Sequence, residues 1–166
     1  MTTPSPSPPL QTLLSALQAF HVAVLWLHDW LPLGRLNDVA AVRREIGSEG
    51  LLRITLVQAL PWSVGLAGCC WFAGISYPGW LWGWVWVSHV VLLAGELRAW
   101  WWPYLFRPDP ARAERYRRMF GRTHTALPLR HGMAPNTLHM TLHLTTLSIV
   151  LVLIATAVAG PPRAPT

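Results

Sequence analysis

His139 and His143 stand four residues apart at the opening of the last apolar stretch of this chain. On a helix that spacing puts both imidazoles on one face, with Cβ atoms about 5–6 Å apart. Two imidazoles aimed at one point suit a metal ion, and a further histidine with carboxylates from other segments would complete its shell as zinc, manganese or non-haem iron. The pattern is H-x-x-x-H without the glutamate of H-E-x-x-H, so the zinc-protease reading has no support. A Gly-rich phosphate loop and a G-x-S-x-G elbow are also missing from the sequence. Any chemistry must therefore come from histidines and acids brought together by the fold.

The composition says what kind of fold. Of 166 residues, 52% are hydrophobic and 12% charged, and the mean hydropathy is +0.33. Soluble domains average about 25% charged residues. Four apolar stretches are long enough to cross a bilayer. The expected class is all-α: a polytopic, four-transmembrane-helix bundle forming one domain over 10–160. The thirteen basic residues are all arginines, and the net charge is +6. They flank apolar stretches, which points to orientation and anionic lipid headgroups as partners rather than to nucleic acid. The adjacent Cys69 and Cys70 lie within an apolar segment. They suit neither a bridge to each other nor a zinc site.

Residues 1–9 and 161–166, rich in proline and small polar residues, read as disordered tails, and no secretory signal is expected. The four spans are predicted at 10–33, 51–75, 80–102 and 137–159. The first carries a polar stripe of Gln11, Ser15, Gln18 and Asp29 flanked by His21 and His28. The second contains Gln58 and a helix-perturbing Pro61. In the third, Trp82, Trp86, His89, Leu93, Glu96 and Trp100 share a stripe, and tryptophans at both ends read as interfacial belts. Asp109-Pro110 and Gly121 bound a short basic helix over 110–120. Its Tyr116, Met119 and Phe120 face suggests that it lies on an anionic membrane surface. Gly79-x₃-Gly83 and Ala155-x₃-Ala159 permit close helix contact within the bundle or with a second protomer or membrane partner.

Twelve arginines sit beside the two loops that four spans place on one side, and Arg163 is the exception. The positive-inside bias makes that side cytoplasmic, with the protein in the cell membrane and both termini outside. At 1.5 Å per residue, His28, Asp29, Glu96 and His139 then lie about 6–8 Å below the cytoplasmic face. His143 and Gln58 lie at about 10–12 Å, and His21 and His89 near 18 Å.

These depths set three alternatives. In the first, His139, His143 and His28 bind a divalent metal, with Glu96 and Asp29 as catalytic carboxylates. Arg98, Arg122, Arg130 and His131 would hold the headgroup of a lipid or other hydrophobic substrate. In the second, His21 and His89 are the axial pair of a b-type haem in a haem- or quinone-linked electron carrier. In the third, the polar groups only lock together a non-catalytic scaffold or accessory subunit.

Overall fold

The computed structural model describes residues 6–159, so most of the two expected tails lies outside the described residues. Every regular element among the described residues is helical, apart from one isolated bridge between Arg130 and Met133. Helix α1 spans Pro8–Leu27, with proline in its first turn, where the missing N–H costs nothing. It ends six residues short of the expected 33, because Pro32 disfavours helical backbone at Leu31. Asn37 then fastens the exit: its Nδ2 donates to the carbonyls of His28 at 2.5 Å and Leu31 at 2.7 Å.

The loop expected over 34–50 contains a short helix, α2 (Val39–Ile46). Asp38 caps it by accepting from Ala41 N at 2.9 Å, and Gly47 closes it at φ +78°, a conformation glycine adopts without strain. Helix α3 (Ser48–Trp71) follows at once and continues through Pro61 without a break. After the 72–78 turn, α4 (Gly79–Glu96) leads into a π-helical turn at Leu97–Trp101 and a short α5 (Trp102–Leu105). Helix α6 (Pro110–Phe120) is capped by Asp109, which accepts from Arg112 N at 3.0 Å. Helix α7 covers Thr137–Ala159.

Helices α1, α3, α4 and α7 form a ring in which α1 and α4 each pack on α3 and α7 and face each other across the centre. All four are long and apolar enough to cross a membrane, counting α4 through to Leu105. The inner face of α1 buries Gln11, Leu14, Gln18, His21 and Leu25, followed by His28. These positions alternate by three and four residues, the seam of a helix packed into a bundle. Ser15 is half-buried and Asp29 partly so, while Gln58, expected among the polar groups, is exposed on α3.

The two ends of the ring differ. At one end Leu14, Cys69, Tyr77, Leu81, Trp82, Val85, Ile149 and Leu153 make a mainly apolar core. The other end, where α2, α5 and α6 gather the arginines, is closed by Val42, Leu51, Tyr116, Phe120 and Met133. The apolar face of α6 is therefore buried against the protein, and burial raises the pKa of the Tyr116 hydroxyl. That corrects the expectation that this face lies on a membrane, since its apolar side chains already have protein neighbours.

Candidate functional site

The arginine-rich end holds four of the ionisable groups singled out by the sequence. His28 ends α1 with its Nδ1 2.9 Å from the Val24 carbonyl and its Nε2 3.2 Å from the Asp29 carboxylate. Both neighbours are acceptors, so only the doubly protonated ring satisfies both. His139 lies opposite on α7, with ring centroids 5.9 Å apart and planes perpendicular. Its Nδ1 meets Asn136 Oδ1 at 2.8 Å, and the same oxygen caps α7 by accepting from the His139 backbone N at 2.9 Å. Trp100 covers the His139 ring at a centroid distance of 4.3 Å and Phe120 at 5.1 Å. His143 follows one turn on, 6.3 Å from His139 between ring centroids, with Trp100 and Trp101 on its flank.

This geometry lends the metal reading no support. Both nitrogens of His28 are taken up by Val24 O and Asp29, and Asp29 is turned to His28. Among the described residues no group of three His, Cys, Asp or Glu side chains could hold a metal ion. Glu96 does not join His139 and His143 as a ligand either. It crosses to α7, where Thr146 Oγ1 donates to its Oε1 at 2.9 Å, and its Oε2 is buried without a protein partner.

A second pair occupies the centre of the ring. His21 on α1 and His89 on α4 are each 1% exposed, with ring centroids 6.1 Å apart and planes at 89°. His89 Nδ1 donates to the Val85 carbonyl at 2.8 Å, which fixes the tautomer and leaves Nε2 as an acceptor. That Nε2, both nitrogens of His21 and Nδ1 of His143 are buried without a protein partner. His143 and His28 are near enough to His21 to act on it through charge. Beyond them Gln18 Nε2 donates to Cys69 Sγ at 3.3 Å, Tyr77 hydrogen-bonds with Cys69 and Ser15, and Gln11 holds the 72–78 turn through Gly74 N and Ile75 O.

The arginines grouped by the sequence as one headgroup clamp are separated. Arg122 pairs with Asp38 at 2.8 Å, and Arg130 lies 5.6 Å over the Tyr104 ring. His131 sits exposed at the tip of a tight turn at φ +53°, beside Gly132 at +79°. Of the four, Arg98 alone lines the cavity at the end of α4, where it joins Arg107 and Arg112.

Three residues central to this site were not singled out from sequence. Asn136 carried a cap signal, an Asn three residues before His139. Thr146 shares the face of His143 at i+3. Trp101 looked like part of an interfacial belt, but the π turn rotates it and Trp100 onto the histidines. Such turns, with one extra residue in the helix, recur at functional sites. The chain matches no family model, and no curated protein or solved structure is detectably similar to it.

Proposed function

We propose that the protein is a four-span membrane protein that carries protons along its buried histidine array, with the arginine-rich end in the cytoplasm. The observation that carries this is the placement of Asp29, His28, His139 and His143 at the arginine-rich mouth and of His21 and His89 at the centre of the ring. The ring centroids of His28 and His139, of His139 and His143, and of His21 and His89 stand 5.9–6.3 Å apart. A single water bridges such a gap, and the unpartnered nitrogens are where it would bond. Chains of His and carboxylate inside membranes are typical of proton paths. The polar thread through Gln18, Cys69, Tyr77, Ser15 and Gln11 extends the set to the opposite turn. Membrane insertion is supported by the outward faces of α3, α4 and α7, where Val57, Val64, Val87, Val91 and Leu151 are 53–66% exposed. A soluble monomer rarely leaves so continuous an apolar surface in water.

The test is proton flux into proteoliposomes under an imposed potential, followed with an entrapped pH dye. Wild type should exceed protein-free vesicles, and His21→Leu should return the flux to the vesicle leak. Wild-type flux equal to the leak overturns the reading. A C-terminal reporter should lie outside the cytoplasm, and a cytoplasmic one reverses the proposed orientation.

One observation favours a second reading, axial ligation of a b-type haem by His21 and His89. They face each other from different helices, and the Nδ1 of His89 is anchored on a carbonyl, as the outer nitrogen of a metal-bound imidazole usually is. A Soret band in purified protein that disappears in His89→Leu selects this reading, and a colourless protein after haem addition removes it.

A further inference from the structure

A cavity lies outside the histidine array, where α4 ends. Its origin is the backbone. Pro103 has no N–H, so the carbonyl of Ala99, four residues back, loses its helical donor. The π turn at Leu97–Trp101 precedes this break, with Trp102 N donating to the Leu97 carbonyl. Arg112, reaching back from α6, fills the gap by donating its Nη1 to Ala99 O at 2.5 Å. The chain between α5 and α6 is thereby held away from the end of α4, and a cavity of about 940 Å³ opens between them.

Its walls have two characters. Arg98, Arg107 and Arg112 line it together with the single acid Asp109. Asp109 is taken up by the α6 cap and by Arg112 at 3.3 Å, whereas Arg98 and Arg107 have no ion pair among the described residues. The remaining wall is apolar, and its Leu97, Trp102 and Phe106 are 49%, 57% and 68% exposed. Positive charge without an acidic partner, set beside exposed apolar rings at the end of a membrane-length helix, is complementary to one kind of molecule: a phosphate on an acyl chain. Arginine forks bind phosphate oxygens, and tryptophan favours headgroup depth.

We propose that this cavity binds the headgroup of an anionic phospholipid through Arg98 and Arg107, with its acyl chain along Leu97, Trp102 and Phe106. This rests on the four helices spanning a bilayer but not on proton transfer. The site differs from the clamp expected over the histidines, since it opens on the outer side of α4 and shares only Arg98 with it.

The experiment is native mass spectrometry of the full chain, purified in detergent and titrated with phosphatidylglycerol, phosphatidylcholine or inorganic phosphate. Wild type should retain phosphatidylglycerol in preference to phosphatidylcholine. The Arg98→Ala/Arg107→Ala variant should lose that preference. An Arg44→Ala/Arg53→Ala variant, with the same loss of charge at exposed positions elsewhere, should keep it. Equal retention of the two lipids by wild type, or an unchanged preference in Arg98→Ala/Arg107→Ala, overturns the proposal. Binding of inorganic phosphate with equal retention of the two lipids would replace the lipid with a free anion and overturn it as well. Carbonate extraction of cell membranes tests insertion separately. Protein that stays in the membrane but shows no lipid preference condemns the site alone, whereas protein released by carbonate condemns the membrane reading beneath it.

Discussion

Two pairs of imidazoles bridge the same bundle and are treated differently. At the mouth, His28 and His139 belong to a dense set of bonds: His28 meets Val24 O and Asp29, and His139 meets Asn136 under the rings of Trp100 and Phe120. At the centre, three of the four ring nitrogens of His21 and His89 are buried with no protein partner. An unmade bond of that kind costs about 1–3 kcal/mol per group, so a sequence selected for stability alone would place leucine there. The mouth pair explains itself as structure. The central pair needs something else to bond with, a water, a proton in transit or a cofactor.

The comparison can be broken most directly by removing one ring from each pair. His28→Leu strips Asp29 of its partner while leaving it only 14% exposed, and should cost about 3 kcal/mol, the lower end for breaking a buried pair. His21→Leu removes two unpartnered nitrogens and fills the same space with carbon, so stability should stay within about 1 kcal/mol of wild type or rise. Unfolding titrations of the detergent-solubilised variants measure both. A His21→Leu cost equal to that of His28→Leu would show that the central pair is also a structural lock, and the case for a relay would fall.

Glu96 stands between the two regimes, with one oxygen bonded to Thr146 and the other without a protein partner. Thr146→Val leaves the first oxygen bare as well, at about 1–2 kcal/mol. Thr146→Ser keeps the hydroxyl and should recover most of that loss. If Val and Ser behave alike, the Thr146 bond contributes nothing and Glu96 belongs with the central pair alone.

How much of this was legible depended on how local each cause was. The bounds of α6 and α7 could be read from Asp109-Pro110, Gly121 and the apolar run after Asn136, because caps and apolar runs act within a few residues. Of the stripe Trp82, Trp86, His89, Leu93, Glu96 and Trp100, the periodicity turned Trp82, His89 and Glu96 fully inward and Trp86 and Leu93 partly so, whereas Trp100 owes its place to the π turn. Helix α2 was missed although Asp38 and Gly47 bracket it, because its eight residues lie among charges that read as loop. The metal set found no support, for a different reason. Spacing puts His139 and His143 on one face, but the partner of His28 was settled by its neighbour Asp29 and by a carbonyl one turn back, and side-chain period does not report such local competitors. Exposure of Gln58 was likewise invisible, since α3 carries little contrast between its faces.

The smallest effect concerns the brace that keeps the mouth closed. Phe120 can cover His139 only while α6 is held in place, and Glu45 on α2 holds it by accepting from Arg118 Nε at 2.8 Å and Nη2 at 2.9 Å. The Arg118 hydrogen bonds, followed by the charges of Arg118 and Arg115, keep the Glu45 carboxyl below its ordinary range. A depressed acid contributes its stability above its unfolded pKa and loses it as the pH falls through the lower folded value. Thermal midpoints of wild type should therefore fall on acidification below about pH 4.3 by more than those of Glu45→Gln, which has no proton to gain there. Salt should narrow the gap between the two at neutral pH, because the pair lies at the surface. Parallel curves for the two proteins would mean that apolar packing of Tyr116 and Phe120 alone holds α6, and that the mouth pair stays shielded without its brace.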